Sequence, residues 1–149
     1  MTYRTPRKWR SEKKEDGSVV TSVDRDVEKL IRSQINKTFP NHGILGEEFE
    51  NERLGSDFIW VVDPIDGTYD YINNLEEFTI NAGLIINNRP AAGLIYAPAK
   101  KRMFYSYGNG NAFELTNNKT INLSVKSIQN NRPITFISYS NKIKPEIQK

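Results

Sequence analysis

The chain has 149 residues, with 21 Lys and Arg against 18 Asp and Glu, and a net charge of +3. This length suits one compact domain with a hydrophobic core. The absence of cysteine excludes thiol catalysis, disulfide bonds and cysteine-zinc sites. The apolar runs are too short to span a membrane and the charged N-terminus does not resemble a signal peptide, so we predict a soluble, cytoplasmic protein.

The basic residues are concentrated at the two ends, in YRTPRKWRSEKK and NKIKPEIQK, and elsewhere they alternate with acidic residues. Such a distribution does not produce a continuous basic surface. We therefore predict no nucleic-acid partner, because that hypothesis rests on the two ends alone.

The first predicted element after a mostly irregular segment, residues 1–19, is a helix over residues 23–39. Thr21 and Asp24 fit a capping box at its start, and Pro40 ends it. The apolar residues that recur at helical intervals of three and four are Val23, Val27, Leu30, Ile31, Ile35 and Phe39.

The remainder of the chain is predicted to be rich in strands. GILGEEF indicates a short buried strand that enters an acidic turn, and FIWVVD is apolar on both faces, which favours the interior of a sheet. Four β-rich runs with short turns follow, FTINAGLII, AAGLIYAPA, RMFYSYGN and NAFEL, and indicate an antiparallel meander. We predict a last strand at ITFISYS, then the start of a helix, and an α+β fold class.

The segment WVVDPIDGTYDYINN carries the strongest chemical signal. Pro64 stiffens the end of the apolar strand, and Gly67 allows a backbone conformation or close approach that a side chain would block. Asp63 and Asp66 are therefore held close together, and a hard cation bound through oxygen compensates such a pair. Mg²⁺ is suitable, and the carbonyl of Ile65 can add a ligand if its side chain points into the core.

Three further residues extend this candidate site. Glu47, in GEE, also follows an apolar strand, so it would reach the two aspartates if the strands are neighbours. Thr68 precedes YDYINN, which could open as a helical turn where an anion can sit. Asp24 is a further candidate. Carboxylates for metal beside an anion-binding turn are what metal-assisted phosphoryl hydrolysis needs, with two ions about 4 Å apart.

Most of these residues also fit a structural interpretation without any catalytic role. Asp63, Asp66 and Thr68 also fit a Pro-Asp-Gly turn with a capping threonine, and Asp24 fits the capping box alone. Lys14 lies in a basic run and is interpreted as a solvated charge, and His42 is interpreted as a turn residue without a role.

The run DPIDGT, with GEE upstream and VTSVD before it, resembles the lithium-sensitive, Mg²⁺-dependent phosphomonoesterase superfamily of inositol monophosphatase. Within it, EEFTINAGLI and AAGLIYAPA are most similar to the 3'(2'),5'-bisphosphate nucleotidase branch. FPNHGILGEEF is more similar to the histidinol-phosphate and inositol phosphatase branches.

The resemblance implies a layered α/β sandwich. Residues 1–132 would form an N-terminal metal-binding α+β domain with a mainly antiparallel sheet, and residues 133–149 would begin a truncated second α/β domain with its own sheet. Members of the superfamily carry a downstream Trp-Asp motif that completes the metal site. No WD occurs in this sequence, so we expect a fragment, or an incomplete enzyme.

The resemblance also implies the metal ligands. Glu47, Asp63 and the carbonyl of Ile65 would hold the first Mg²⁺, and Asp63 and Asp66 would share a second. A third, weaker ion on Asp24 is an alternative to a hydrogen bond from Asp24 to Thr68. Two or three Mg²⁺ ions are therefore expected, and Li⁺ is expected to inhibit.

The catalytic and substrate-binding roles follow from the same resemblance. Glu47 and Thr68 would position and activate the attacking water with the help of Asp24, and Asp66, Gly67 and Thr68 would contact the substrate. Lys14 stands where the family often has a lysine near the site.

The function implied is removal of the 3'-phosphate from adenosine 3',5'-bisphosphate to give AMP and phosphate. The partner would be a small phosphorylated substrate, and a homo-oligomer is left open. An inositol monophosphatase or a histidinol-phosphate phosphatase is the alternative within the superfamily. A non-catalytic metal-binding or interaction fragment is the alternative of another class.

Overall fold

The computed structural model describes residues 10–13 and 19–124. Lys14, the strand and helix predicted after Pro133, and the second domain predicted at 133–149 lie outside these residues. The described part contains, in chain order, β1 (Ser11–Lys13), β2 (Val19–Thr21), α1 (Ser22–Thr38), β3 (Gly43–Gly46), β4 (Phe58–Asp66), α2 (Thr68–Ile72), β5 (Thr79–Ile86), β6 (Arg89–Ala97), β7 (Arg102–Tyr107), β8 (Asn111–Thr116) and β9 (Lys119–Asn122).

A seven-stranded sheet organises the fold, with strands β3 to β9 in sequence order. Strands β3 and β4 are parallel, and every later neighbour is antiparallel. The predicted meander is therefore confirmed, and β4 has the predicted interior position between β3 and β5. Together with α1 this is the predicted α+β class.

The strands β1, β2 and β9 were not predicted. The N-terminal segment, predicted to be mostly irregular, contains β1 and the start of β2, which pair as an antiparallel hairpin. Strand β9 was not predicted at all, although it pairs with β8. Both β1 (SEK) and β9 (KTIN) are exposed along their whole length. Hydrogen bonds from a neighbouring strand make each of them a strand. Because neither has a buried face, both lack the apolar alternation from which strands are predicted.

Helix α1 begins as predicted, with a capping box formed by Thr21 and Asp24. Its buried face differs from the predicted apolar one, since Leu30 is 63% exposed. The buried residues of the helix are Asp24, Glu28, Arg32 and Ile35. Polar residues occupy this face because the helix packs against the turns that carry the candidate site as well as against the sheet.

The hydrophobic core lies where α1 crosses β3 and β4. Ile35, Ile44 and Val62 are buried together there, and Ile31 and Trp60 pack against them. Burying side chains of this size contributes about 1.5 to 3 kcal/mol each. The core therefore fixes the two parallel strands just before the points where their carboxylates begin.

His42 belongs to the packing beside this core. Its ring stacks between Phe39 and Phe58, with centroids 4.7 Å from each. Its Nδ1 accepts a hydrogen bond of 3.1 Å from Trp60 Nε1. These contacts account for His42 without a catalytic role.

The sheet beyond β4 is much less covered. No residue of β5, β7 or β8 is buried in the described part of the chain. The rings of Tyr105, Tyr107 and Phe113 stack on one another across β7 and β8. The tyrosine-rich strand therefore contributes to sheet packing, as its alternation indicated.

Candidate metal centre

The parallel pairing of β3 and β4 brings two distant acids together. Gly46 is the register partner of Val62, so Glu47 and Asp63 follow at the same end of neighbouring strands. The side chain of Glu47 is close enough to Asp63 to raise the pKa of the Asp63 carboxyl group. The expected approach of Glu47 to Asp63 is thus present in the folded chain.

The DPIDGT turn holds its residues in a defined conformation. The side chain of Ile65 is buried, with 4% exposure, which leaves its carbonyl in the turn. The pairing of β4 with β5 shifts register between Asp63 and Asp66. Gly67 has a φ of +89°, and a Cβ there would lie 2.8 Å from the carbonyl oxygen of Glu77. A glycine is therefore required at Gly67 by both conformation and space.

Thr68 and Asp24 are joined by a hydrogen bond. The Thr68 hydroxyl lies 3.1 Å from Asp24 Oδ1 and 3.0 Å from the carbonyl oxygen of Ile65. Asp24 Oδ2 accepts from the backbone N–H and the hydroxyl of Thr21, at 2.9 and 2.5 Å. Asp24 is 2% exposed, and both of its oxygens are engaged by protein donors. The capping box of α1 therefore also orients the hydroxyl of Thr68.

The surroundings of Asp63 disfavour the ionised form of its carboxyl group. The pKa of Asp63 is raised from 3.8 to about 6, mainly because burial removes hydration from its carboxyl group. The charges of Glu47 and Asp66 raise it further, and contact with Glu47 and the charge of Asp24 have smaller effects. Asp63 Oδ1 is buried and accepts no hydrogen bond from any residue that the structure describes. A buried carboxylate oxygen without a donor costs free energy that a bound cation would recover.

The donors at this site fit Mg²⁺. Carboxylates of Glu47, Asp63 and Asp66 and the carbonyl of Ile65 are hard oxygen ligands, which Mg²⁺ prefers. Within residues 10–13 and 19–124, no three His, Asp or Glu side chains are already arranged as a metal cage. Mg²⁺ keeps several waters and takes one or two carboxylates, so such a cage is not required.

Two functional residues were not predicted from the sequence, Glu28 and Arg32. Glu28 is completely buried, and its Oε2 accepts hydrogen bonds from the backbone N–H groups of Glu47 and Glu48 at 3.1 and 2.7 Å. Its Oε1 accepts from Arg32 Nε at 2.8 Å, and Arg32 Nη1 contacts Glu52 at 2.8 Å. This ion pair fixes the turn that presents Glu47.

A signal for this pair exists in the sequence. Asp24, Glu28 and Arg32 are four residues apart, so they share one face of α1 and lie beside its apolar positions. Charged residues in a stripe beside the apolar face more often belong to a solvated surface, and the pattern alone did not distinguish the two cases.

Asn81 is the third residue that was not predicted. It is the register partner of Asp63 on β5, and its Nδ2 donates to Asp66 Oδ2 at 3.2 Å. Its Oδ1 is buried and has no hydrogen-bond partner among residues 10–13 and 19–124. Nothing in FTINAGLII singles out this asparagine as part of the site without the strand register.

These observations define the class of protein. The model of the inositol monophosphatase family matches residues 1–149, and the chain belongs to that family. It is 33% identical over 116 residues to the fructose-1,6-bisphosphatase/inositol-1-monophosphatase of Aquifex aeolicus, a match that covers 74% of this chain and 44% of that protein.

Further relatives have related names. The chain is 32% identical to the inositol-1-monophosphatase of Bacillus subtilis, a match covering 68% of this chain and 39% of that protein. It is 34% identical to the histidinol-phosphatase of Chlorobaculum parvum, over 67% of this chain and 39% of that protein. The chain thus spans less than half the length of the curated relatives it matches.

Solved structures share the fold. An IMPase from Thermotoga maritima superposes with a TM-score of 0.67 at 33% identity, covering 70% of this chain and 41% of that one. An IMPase/NADP phosphatase complexed with Mg²⁺ and phosphate superposes with a TM-score of 0.66 at 25% identity, over 72% and 42% of the two chains. Neither of the helices α1 and α2 is long and apolar enough to cross a bilayer, nor is any other helical stretch in the described residues.

Proposed function

We propose that the protein is a Mg²⁺-dependent phosphomonoesterase whose site is built on Glu47, Asp63, Asp66 and Thr68. The observation that carries this proposal is the convergence of Glu47 on Asp63, together with the unpartnered Oδ1 of Asp63. A relative of the same fold is complexed with Mg²⁺ and phosphate, which supports the choice of ion and of reaction. Residues 133–149 are proposed to begin the second α/β domain.

The proposed roles follow from the positions of the side chains. Glu47, Asp63 and the Ile65 carbonyl would hold one Mg²⁺, and Asp63 and Asp66 a second. When bound, the ions would polarise the phosphate ester and promote ionisation of the attacking water. Asp66 would also contact the substrate. The third ion considered for Asp24 is not part of this proposal, because hydrogen bonds occupy both of its oxygens.

Thr68 would orient the attacking water and Glu47 would activate it. When the Thr68 hydroxyl donates to Asp24, its lone pairs remain to accept a hydrogen bond from a water, which orients that water towards the phosphorus. Glu47 would accept its proton as general base. Gly67 and the N–H groups after it would contact the phosphate oxygens.

For the substrate, we propose adenosine 3',5'-bisphosphate, with AMP and phosphate as products. This choice rests on EEFTINAGLI and AAGLIYAPA and their similarity to the nucleotidase branch. A histidinol-phosphate or inositol phosphatase is the second candidate, favoured by FPNHGILGEEF and by relatives with those names. Li⁺ is proposed to inhibit, since a related inositol monophosphatase is described as a LiCl-soaked inhibitory complex.

The first prediction tests the activity. Phosphate release should be measured from adenosine 3',5'-bisphosphate, histidinol phosphate and inositol 1-phosphate, with the chain extended through any reading frame that continues beyond Lys149. We expect Mg²⁺-dependent release, and a loss of at least a hundredfold on Asp63→Asn or with EDTA, because the shared ligand is removed.

The exposed aspartate Asp57, changed to Asn, is the matched control and should retain activity. Normal turnover by Asp63→Asn, or in EDTA, would refute the phosphatase hypothesis. Release from histidinol phosphate or inositol 1-phosphate, but not from the bisphosphate, would replace the nucleotidase proposal by the second candidate. Mg²⁺ binding by calorimetry without turnover on any of these substrates would support the non-catalytic alternative.

A further inference from the structure

Two buried oxygen atoms at the site lack hydrogen-bond donors within the described part of the chain. They are Oδ1 of Asp63 and Oδ1 of Asn81. The two residues are register partners on β4 and β5, so their side chains leave the same face of the sheet at neighbouring positions. Both residues also line the same groove, which has a volume of about 480 Å³.

The orientation of the Asn81 amide is fixed by its neighbour. Its Nδ2 donates to Asp66 Oδ2 at 3.2 Å. The opposite orientation would turn the amide oxygen towards a carboxylate oxygen and would be repulsive. The amide oxygen is therefore held where none of the described residues offers it a donor, while the amide nitrogen holds one of the proposed metal ligands.

We propose that Asn81 is a positioning residue of the metal centre. Its N–H group would orient Asp66, and its Oδ1 would accept a hydrogen bond from the hydration shell of the cation. This inference rests on the proposed function and extends it to a residue outside the DPIDGT and GEE motifs. Removing a hydrogen-bond partner of a metal ligand typically weakens the metal affinity by about 10- to 100-fold.

A purely structural role for Asn81 predicts a different effect of Asn81→Leu on the stability of the metal-free protein. A buried acceptor without a partner destabilises a fold, and its replacement by an apolar group of similar shape is nearly neutral or stabilising. A residue kept for packing should lower stability when it is replaced. The metal-free stability of Asn81→Leu therefore separates the two roles without reference to activity.

The second prediction is tested on the 149-residue chain with Mg²⁺ as the probe. Isothermal titration of Asn81→Leu should give a Mg²⁺ affinity weaker by about tenfold or more, and its melting temperature in EDTA should be unchanged or raised. Asn81→Ser, which keeps one hydroxyl, should retain more affinity than Asn81→Leu. The exposed strand asparagine Asn122, changed to Leu, is the matched control and should bind as the unmodified chain does.

A double-mutant cycle supplies the specific readout. If Asn81 acts through Asp66, Asn81→Leu should cost much less affinity in an Asp66→Asn background than in the unmodified chain. Mg²⁺ affinity of Asn81→Leu equal to that of the unmodified chain would overturn the Asn81 role and leave the proposed function standing. A clear loss of stability in EDTA would also overturn it, in favour of a structural role. Absence of Mg²⁺ binding by the unmodified chain would overturn both.

Discussion

Asp63 is the residue on which the chemistry of the site depends most. It belongs to both proposed metal positions, and burial together with the neighbouring charges of Glu47 and Asp66 raises its pKa to about 6. A carboxylate in this environment favours a proton or a cation over its free ionised form. Relief of the energetic cost of holding the acids together would therefore favour the proposed metal binding.

The third prediction concerns pH. Protons compete with Mg²⁺ for Asp63, so the affinity should fall about tenfold for each pH unit below about 6. In the metal-free protein the folded state binds this proton more tightly than the unfolded state, whose pKa is near the ordinary 3.8. The contribution of Asp63 to the free energy of unfolding should therefore decrease as the pH rises from about 4 to about 6, and stay low above it.

Asp63→Asn is the variant that isolates this effect. It should remove the Asp63 contribution to the pH dependence of the melting temperature in EDTA and abolish the response to Mg²⁺. At pH 8 its metal-free form should be more stable than the unmodified chain, by on the order of 1 kcal/mol after screening by solvent. Unchanged Mg²⁺ affinity between pH 8 and pH 5 would contradict the assignment of Asp63 as a ligand.

At the scale of elements, the site depends on how β3 ends. Gly46 leaves room for the buried pair of Glu28 and Arg32, since a Cβ on Gly46 would lie 2.0 Å from Glu28 Oε1 and 2.6 Å from Arg32 Nη2. Glu28 in turn binds the N–H groups of the turn that follows. The close approach of strand and helix is therefore what lets α1 hold the Glu47 turn.

The fourth prediction is that Gly46→Ala destabilises the fold by about 2 kcal/mol or more, because the added methyl group displaces a buried ion pair. It should also weaken Mg²⁺ binding through Glu47. Gly55→Ala is the matched control, because no atom of the described part of the chain lies within 4 Å of the Cβ position there, and its effect should stay within about 0.5 kcal/mol. Urea denaturation of both variants measures the difference, and equal stabilities would contradict the importance of this close approach.

Most of the sheet and the approach of Glu47 to Asp63 could be predicted from the sequence, for identifiable reasons. Alternating apolar runs separated by turns specify the meander, and the capping residues specify the start of α1. The acids of DPIDGT follow an apolar strand directly, so local sequence is enough to place them together. Strand β9 and the buried polar face of α1 depend on neighbours distant in the chain, and local patterns do not contain that information.

Asn81, Glu28 and Arg32 illustrate the same limit at the site. Asn81 reaches Asp66 only through the register of β5 on β4. Glu28 reaches the amides of Glu47 and Glu48 across 19 and 20 residues of chain. A residue that acts through tertiary contacts has no local signature, whereas one that lies in a stiff turn does.

On the scale of the whole molecule, the sheet is covered unevenly. Helix α1 and the core cover β3 and β4, while β5, β7 and β8 contain no buried residue among those described. Tyr107 is 53% exposed and Ile95 is 47% exposed. The strand register places Tyr107 on the sheet face that α1 covers. It places Ile95 on the opposite face, which carries Asp63. Apolar surfaces of this kind favour association.

The fifth prediction is that the 149-residue chain self-associates in a concentration-dependent manner. Sedimentation velocity over a hundredfold range of concentration should show a rising average mass. Tyr107→Lys and Ile95→Lys place a charge on opposite faces of the sheet, so the variant that restores the monomer identifies the face involved. A monomer at every concentration, for the unmodified chain, would contradict this prediction.

The capping aspartate and the buried glutamate of α1 have a consequence for how the family site can vary. They are separated by one helical turn, about 6 Å along the axis, and each anchors a different loop. The helix therefore sets the distance between the hydroxyl of Thr68 and the turn that carries Glu47, the proposed general base. Inserting a single residue between Asp24 and Glu28 would rotate one anchor by about 100° relative to the other, so α1 can hold both loops in place only while this interval stays at four.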